Sequence, residues 1–498
     1  MFDNYPLLTF FPVIFPLFAG MLMLFLRIED ETRRHVYVEL TTLLNAALTC
    51  AAVFLTDGET LVLWRITHSL SISFRVDAPA RMFALLIAFI WPLVTQYAFD
   101  YLRHRPPEDR FFAFFLSTFG ILLGVACAAN FLTLYLFFEL LTFMTLPLVM
   151  HSQRPEAISG AVRYLFYSLT GAAMALAGFF FFQVYAISTE FTPGGVLTTL
   201  QDPEQKKLML TVTFITLMGF GAKAGLFPLH AWLPIAHPVA PTPASAVLSG
   251  LITKAGIIAM FRTIYFIAGP SFLRGTWVQT AIISLSLLTI FIGSMLAYVE
   301  KHLKKRIAYS SVSQVSYVIL GLMLLTSEGL TGAMLQILSH AFAKSCLFLS
   351  AGVVIYFTMP GSNYHYADQL NGVGKELPFT MSCFTIASFS LIGLPVTGGC
   401  VAKWYTAVGA VDPSLGWLGL AGIAVLMISA LLTAGYLMPI ITDAFFPGAD
   451  FDYSRLHPVH LSFNMRLPLI LLSISSLLTG FFAGPLVDYF HRFAADLL

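Results

Sequence analysis

The sequence predicts an all-α polytopic membrane protein, and three observations carry that prediction. Hydrophobic residues make up 58% of the 498 residues and charged residues only 11%, against about 25% in ordinary soluble domains. The mean hydropathy is +0.81. Apolar runs of about 20 residues, the length that a helix needs to cross a bilayer core, recur along the whole chain. A net charge of +1 gives no basic surface for nucleic acid. The five cysteines lack metal-ligand spacing, and their odd number argues against a disulfide framework.

We predict one membrane domain over residues 1–498 with about fourteen spans and no soluble domain between them. Residues 1–110 hold the first three spans, and an alternating loop over 56–77 is expected to form a small hairpin. Residues 111–267 hold spans four to eight, residues 278–441 hold spans nine to thirteen, and residues 467–489 form the last. In order, the spans are 5–26, 36–55, 78–99, 111–129, 131–150, 160–185, 208–229, 243–267, 278–299, 307–325, 330–357, 378–408, 415–441 and 467–489.

The placement of lysine and arginine predicts the orientation of these spans. With the N-terminus outside, fifteen lysines and arginines fall in inward loops and six in outward loops and the tail. Positive loops stay cytoplasmic. We therefore expect a multi-pass protein of a prokaryotic inner membrane with both termini outside.

Five charged residues lie in the middle of predicted spans, whereas Arg81 and Arg262 lie near helix ends and are expected to snorkel to the interface. Each charge at a helix centre costs about 2.5–3.5 kcal/mol on insertion scales, so five accidental ones are improbable. Because burial disfavours the charged amine, the lysines are plausible proton carriers. The five mid-span residues are Glu139, Lys223, Lys254, Lys344 and Lys403.

A structural explanation of these charges stays open beside the functional one. A Glu139–Lys223 ion pair would pin two helices together while the other lysines bond to backbone carbonyls. Four lysines against one carboxylate are not balanced pairing, which favours a relay over a purely structural set. A carboxylate that makes and breaks its ion pair with Lys223 would act as a switch.

Two spans contain helix-breaking residues next to these lysines. Pro228 interrupts the seventh span after Lys223, in GFGAKAGLFPLH, and Gly393 and Pro395 interrupt the twelfth before Lys403, in GLPVTGG. A broken helix is tolerated in a membrane only where its backbone borders protein or a wet cavity. If spans four to eight and nine to thirteen are inverted repeats, both breaks fall in the fourth helix of a repeat. That arrangement is typical of transporters.

Histidines and serines extend the candidate relay. His340 lies four residues before Lys344, on one helix face, and His230 and His237 flank the turn after the first break. Neutral imidazole passes protons near physiological pH. Ser310 and Ser311 lie in the hydroxyl-rich run AYSSVSQVSY, which suits bound water as well as helix packing. A buried structural histidine is the competing interpretation for His237, and no pair of mid-span histidines suits a haem.

The chain resembles the antiporter-like subunits shared by respiratory complex I, Mrp-type sodium/proton antiporters and membrane-bound hydrogenases. The resemblance rests on GFGAKAGLFPLHAWLP, APTPASAVLSGLITKAGIIAMFR, KKRIAYSSVSQVSY, LSHAFAKSCLFLSAG and GLPVTGGCVAKW, and its wording is closest to the Mrp D subunit and hydrogenase types. It implies a fifth-helix Glu139 paired with the seventh-helix Lys223, and relay positions at Lys254, at His340 with Lys344, and at Lys403. It also implies no redox cofactor or metal in this chain.

The expected function is a proton-translocating, non-catalytic subunit of a multi-subunit membrane complex, either a redox-driven pump or a cation/proton antiporter. Expected partners are other membrane subunits, including homologous ones, together with protons, and sodium through a partner subunit. Protons are favoured here because Glu139 is the one mid-span carboxylate. Two alternatives stay open: a structural scaffold subunit and a self-sufficient secondary transporter.

Overall fold

The computed structural model describes residues 6–26, 28–103, 107–197, 200, 202–357, 366–448, 451–452 and 461–498. Over these residues the chain is helical apart from one hairpin and short connections. The first helices are α1 Phe11–Leu26, α2 Glu31–Leu55, α3 Ala78–Leu102, α4 Glu108–Ala126, α5 Phe131–Val149, α6 Pro155–Tyr185, α7 Pro203–Ala224, α8 Leu233–Val239, α9 Thr242–Val247 and α10 Thr253–Arg262. The others are α11 Pro270–Leu273, α12 Trp277–Val299, α13 Leu303–Met323, α14 Ser327–Phe357, α15 Val373–Glu376, α16 Pro378–Ile392, α17 Gly398–Ala410, α18 Gly416–Phe445, α19 Phe463–Phe481 and α20 Ala483–Ala495.

Within the described residues, eleven helices are long and apolar enough to cross a membrane. The segment Thr242–Ala268 counts as one of them, because the π-helical turns Leu248–Ile252 and Thr263–Ala268 join α9 and α10 into a continuous helix. Two shorter apolar helices, α1 and α16, lie among them. The chain is therefore a mostly helical, multi-pass membrane protein.

Side chains of the connecting segments fix where several helices begin. Asp30 Oδ1 accepts the Arg33 amide at 2.7 Å before α2, and Asn130 Oδ1 accepts the Thr133 amide at 2.8 Å before α5. Ser462 caps α19 in the same way. Each cap satisfies an amide that the first turn of a helix leaves without a partner. Such caps fix the residue at which each helix leaves its loop.

Close helix contacts in the interior depend on small residues. A β-carbon added to Gly171 of α6 would lie 2.4 Å from the carbonyl oxygen of Gly219 on α7. A β-carbon on Gly256 of α10 would lie 2.6 Å from the Ala224 amide nitrogen at the end of α7. Because lipid supplies little hydrophobic drive between helices, backbone approach at small residues supports their packing. The end of α7 is thereby held directly against α10.

The predicted hairpin is present. Strands β1 Leu61–Arg65 and β2 Ser71–Phe74 pair antiparallel, with an irregularity between Val62 and Trp64. Two hydrogen bonds join the hairpin to the start of α5. The side-chain amide of Asn130 donates to the Ser71 carbonyl at 2.8 Å, and the backbone amide of Ser73 donates to Thr133 Oγ1 at 2.9 Å.

Both predicted helix breaks are present, but the first one begins earlier than its proline. Helix α7 ends at Ala224 because Gly225 adopts a left-handed φ of 90°, and Pro228 lies in the turns that lead to α8. Gly393 ends α16 in the same way, with a φ of 91°. Glycine tolerates this conformation because it has no β-carbon. The sequence predicts the first break at Pro228, whereas in the structure Gly225 terminates the helix three residues before it.

The last predicted span is wrong in its extent. The structure divides 467–489 between α19 and α20, and Phe482 stands between them. Helix α20 is amphipathic and buries Phe490 and Ala494, and Phe493 packs near Phe261 of α10, with ring centroids 6.0 Å apart. It therefore lies against the end of the bundle as a separate element.

Candidate functional site

Lys223 lies in the last turn of α7, with a side chain only 1% exposed. Its amine donates to the Phe138 carbonyl at 3.1 Å and to Thr142 Oγ1 at 2.7 Å, both on α5. The amine also lies 4.4 Å from the centroid of the Phe138 ring. The termination of α7 next to Lys223 thus leaves its side chain reaching sideways into the neighbouring helix.

The predicted Glu139–Lys223 ion pair is not formed. Among the described residues, no ion pair within 4.0 Å joins these side chains, and Glu139 Oε1 is buried without a hydrogen-bond partner. Glu139 follows Phe138, whose carbonyl Lys223 binds, and the charges of Glu139 and Lys223 still interact without direct contact. The carboxylate therefore stands beside the amine's binding place without occupying it.

Lys254 and His340 meet in the middle of the bundle. The Lys254 amine lies 2.5 Å from His340 Nδ1 and donates to the Ser249 carbonyl at 2.7 Å. Both side chains are almost fully buried, 2% and 1% exposed. Because α10 and α14 bring them from distant parts of the sequence, this contact joins the two predicted repeats.

Lys344 lies one helical turn from His340 on α14 and binds α13. Its amine donates to the Ile307 carbonyl at 2.8 Å and contacts Ser310 Oγ. Ser311, the next residue of α13, lies 2.7 Å from Ser249 Oγ, and Ser249 also receives the Lys254 amine at its carbonyl. The hydroxyls of the AYSSVSQVSY run therefore link the Lys254 and Lys344 contacts.

Lys403 binds the broken end of α16. Its amine donates to the Leu391 carbonyl at 2.5 Å and to the Ile392 carbonyl at 2.8 Å. The last carbonyls of a helix have no partner within it and carry partial negative charge, so they suit a cation. Gly393 allows the approach, since a β-carbon there would lie 3.0 Å from Lys403 Cδ. The GLPVTGG break thus creates the binding place of this lysine.

Two glutamines that the sequence argument passed over complete this part of the site. Gln336 of α14 donates to Gln314 Oε1 at 2.8 Å, and Gln314 of α13 donates to the Leu391 carbonyl at 3.3 Å. Both are fully buried or nearly so. The available signals were the position of Gln314 inside AYSSVSQVSY and the four-residue spacing of Gln336 from His340.

His237 and His230 differ from His340 in that neither makes a hydrogen bond with one of these lysines among the described contacts. His237 is fully buried and stacks on Phe348, with centroids 4.7 Å apart, and neither ring nitrogen has a hydrogen-bond partner. His230 is half-buried and stacks on Phe227 at 5.6 Å. Neither histidine bonds to a relay lysine among the contacts of the described residues. Both stay predicted members of a half-channel.

A cavity of about 720 Å³ is lined in part by Pro238, the residue after His237. The link from α8 to α9 forms part of its wall, together with the start of α6 and the end of α3. Lys304 is one of the fifteen lysines and arginines that the sequence predicts in inward loops. In the structure it is buried on α13 at this cavity and donates to the Ala240 carbonyl at 3.1 Å. Other charged or polar residues of the wall are Tyr101, His151, Ser152, Arg154 and Glu156.

The sequence predicts that Arg262 snorkels to the interface. In the structure it forms a buried ion pair instead. Its guanidinium, on a side chain 1% exposed, contacts both carboxylate oxygens of Asp77 at 2.6 and 2.7 Å. Burial by itself would raise the pKa of Asp77, but the Arg262 charge and hydrogen bonds outweigh it and hold that pKa below its usual value. Arg81 donates to the Thr56 carbonyl at 3.0 Å. Sequence spacing gave no sign that Asp77 was the partner.

Taken together, the fold and the site define a class of protein. It is a polytopic membrane protein whose interior holds buried amines and an imidazole, joined by hydroxyls, amides and the carbonyls of broken helices. No group of three or more His, Cys, Asp or Glu side chains in the described part of the chain is placed to hold a metal ion.

The chain belongs to the NADH:quinone oxidoreductase/Mrp antiporter family of membrane subunits, which matches residues 128–429. A second family, described as the N-terminus of chain 5 of NADH-ubiquinone oxidoreductase (complex I), matches residues 64–112. The NADH-quinone oxidoreductase subunit N of Desulforudis audaxviator is 30% identical over 97% of each chain. The putative antiporter subunit mnhD2 of Staphylococcus aureus is 24% identical over 90% of this chain and 88% of its own. The predicted resemblance is confirmed.

Two solved structures share the fold. A chain of the membrane-bound sulfane sulfur reductase, an archaeal respiratory membrane complex, superposes with a TM-score of 0.86 at 22% identity, over 98% of this chain and 97% of its own. A chain of the Mrp complex from Dietzia sp. DQ12-45-1b superposes with a TM-score of 0.84 at 20% identity, with the same coverage. Both are parts of multi-subunit membrane complexes.

Proposed function

We propose that this chain is the proton-translocating, antiporter-like subunit of a multi-subunit membrane complex. The observation that carries the proposal is the Lys254–His340 contact of 2.5 Å, which puts two chargeable groups in hydrogen-bond range at the centre of the bundle. A proton moves readily between two such groups, because an amine and an imidazole each hold it in one state and release it in the other.

The relay runs from α5 and α7 to α17. Lys223 forms its first station with Thr142, and Lys254 with His340 forms the second. Lys344 follows one turn further along α14, and Lys403 at the α16 break is the last. Glu139 acts as a switch at the first station: it either pairs with Lys223 or, as in this structure, leaves the amine to Thr142 and the Phe138 carbonyl.

Protons enter and leave through half-channels at the two broken helices. His237, whose ring nitrogens are buried and unpartnered, directly precedes Pro238 in the wall of the 720 Å³ cavity, which suits a path from one face of the membrane. His230 lies in the turns after α7, and Ser310 and Ser311 line the inner part of the route. We assign Pro228, Gly393 and Pro395 to keeping these backbones irregular.

The finer architecture also belongs to this proposal. It has fourteen spans, with α1, α13 and the broken α16–α17 added to the eleven long apolar helices. Spans four to eight and nine to thirteen, over residues 111–267 and 278–441, are inverted repeats behind an N-terminal part over 1–110. The protein lies in a prokaryotic inner membrane with both termini outside. A cysteine at the exposed Thr67 of the hairpin, compared with the unchanged chain, should react with an impermeant maleimide from outside; reaction only from inside refutes this orientation.

The structural alternative has one observation in its favour. All four lysines of the proposed relay donate to a backbone carbonyl, as purely structural lysines would. However, three of them also contact a hydroxyl or an imidazole that can pass a proton: Thr142, His340 and Ser310. A scaffold would not need these second contacts.

Replacing Lys223 with methionine separates the two functions. A relay predicts a complex that assembles normally but no longer translocates protons, whereas a scaffold predicts loss of assembly with transport per assembled complex unchanged. Assembly is measured by native gel and purification yield, and transport by acidification in vesicles. A third possibility, a self-sufficient transporter, predicts gradient-driven exchange when this chain is reconstituted alone, and the proposed function predicts none.

A further inference from the structure

Two buried polar atoms on α14 have no hydrogen-bond partner within the protein. They are Nε2 of His340 and Oε1 of Gln336. The residues are 1% and 2% exposed, so neither atom is hydrated from the surface. Buried polar groups are nearly always paired, so two neighbouring exceptions indicate a functional arrangement.

The contact with Lys254 decides what each atom can do. His340 Nδ1 faces the Lys254 amine at 2.5 Å. When the amine donates, Nδ1 is the acceptor, and the hydrogen of the neutral ring must be on Nε2. Nε2 is then a donor without an acceptor. Gln336 Oε1 is an acceptor without a donor, because the amide of Gln336 is turned so that its NH₂ group binds Gln314.

These complementary atoms are one helical turn apart. Residues four apart on a helix face the same side, with about 5–6 Å between their β-carbons. A change of side-chain rotamer is therefore enough to bring Nε2–H of His340 to Oε1 of Gln336.

The other end of Gln336 leads to Lys403. Gln314 accepts a hydrogen bond from Gln336 and itself donates to the Leu391 carbonyl at 3.3 Å. Lys403 donates to that same carbonyl oxygen at 2.5 Å. Two donors thus share one oxygen, the shorter bond belonging to Lys403. When Lys403 moves away, the Gln314 bond can shorten, and the amide pair shifts relative to His340.

We propose that Gln336, held by Gln314, is a positioning residue that couples the His340 ring to Lys403, an inference that rests on the proposed proton relay. Gln336 binds Nε2–H of His340 in one state and releases it in the other. The amides remain neutral throughout and do not carry the proton. They set whether Nδ1 of His340 faces Lys254 at the moment of transfer, which is why their position matters to the rate.

The test uses the whole purified complex in liposomes. A potassium diffusion potential set with valinomycin drives protons inward, and trapped pyranine reports the flux. We expect Gln336→Met to assemble normally and to lower the flux at least about tenfold, since small misplacements of reacting groups cost one to two orders of magnitude. Gln336→Glu keeps an acceptor oxygen for His340, but only its protonated carboxyl also keeps a donor to Gln314 Oε1. Its flux should therefore be closer to the wild type at about pH 6 than at about pH 8, a difference that Gln336→Met should not show.

Gln279 offers a matched control. It is also a buried glutamine, 5% exposed, and donates to the Met323 carbonyl at 3.0 Å, but it lies at the end of α12 nearest the α11 turn. Gln279→Met should leave the flux within about twofold of the wild type, because no relay group depends on it.

Three results overturn the inference. First, if Gln336→Met keeps the wild-type flux while Lys344→Met abolishes it, then Gln336 has no role in coupling and the proposed relay stands. Second, if Lys344→Met has the same proton flux as the wild type, then both the proposed function and this inference are wrong. If Gln336→Met does not assemble, Gln336→Asn decides: its amide is one methylene shorter and must lose a contact, so undiminished flux overturns the coupling.

Discussion

The Asp77–Arg262 ion pair allows a quantitative prediction about stability. Asp77 precedes α3 and Arg262 ends α10, so the pair joins two elements that are far apart in the chain. The guanidinium is held at two points, 2.6 and 2.7 Å from the carboxylate oxygens. We predict that Asp77→Asn and Arg262→Met each destabilise the protein, whereas replacing both together costs much less than the sum.

The magnitude follows from which group is left unpaired. Removing one partner of a buried ion pair costs about 3–5 kcal/mol, because the other charge remains buried. Asp77→Asn leaves a guanidinium that is 1% exposed, although the Phe191 and Phe266 rings, 5.1 and 4.7 Å away, offset part of the cost. The asparagine oxygen still accepts the Ala80 backbone amide, as the Asp77 carboxylate does. We therefore expect Asp77→Asn to lower the free energy of unfolding by about 3 kcal/mol.

The assay is reversible unfolding in mixed micelles with an increasing fraction of dodecyl sulfate, followed by tryptophan fluorescence. The ion pair of Arg103 with Glu31, at 2.8 Å, is the control, because its side chains are 52% and 43% exposed. Such exposed pairs contribute about 0–1 kcal/mol, so Glu31→Gln should barely change the unfolding midpoint. Equal effects of Asp77→Asn and Glu31→Gln would refute the argument from burial.

The same pair predicts a pH dependence in the acid range. The pKa of Asp77 in the folded protein lies below its ordinary value of 3.8. The stabilisation is therefore complete above that ordinary value and is lost as the pH falls through the lower folded value. Asp77→Asn should lack this part of the acid sensitivity.

Two further predictions concern the relay and the helix packing. Glu139→Gln should assemble normally, since it breaks no ion pair in this structure, but should lower proton flux in the vesicle assay at least about tenfold; normal flux would exclude the carboxylate as a switch. Gly171→Ala should cost about 1–3 kcal/mol in the micelle assay, because its β-carbon would lie 2.4 Å from the Gly219 oxygen. Gly484→Ala, with open space around it, is the control, and equal midpoints would contradict the packing argument.

Periodic and local features were predictable from the sequence. The hairpin within 56–77, the placement of Lys223, Lys254 and Lys344 in the interior and the two helix breaks are all present. They depend on runs of apolar residues, on charge within them and on glycine or proline, which act over a few residues of chain. Even there, α7 ends before Pro228, because Gly225 adopts a left-handed conformation that the sequence did not indicate.

The choice of partners was not predictable. The sequence indicated Glu139 for Lys223, but the structure gives Thr142 and a carbonyl of the same helix α5. The sequence predicts Arg262 at the membrane interface, but in the structure it forms an ion pair with Asp77, 185 residues away in the chain. Such choices depend on helix rotation and side-chain rotamers, in which a displacement of a few ångströms exchanges one partner for another.

By itself, then, the sequence determined that this is a multi-pass helical membrane protein with costly charges in its interior, because the hydrophobic length of a span and the price of a buried amine are properties of short segments. The tertiary structure alone decided that Lys254 meets His340, that Gln336 and Gln314 lead to the carbonyl that holds Lys403, and that α20 folds separately from α19. These contacts join helices distant in the chain, and only the packing of the whole bundle sets their distances.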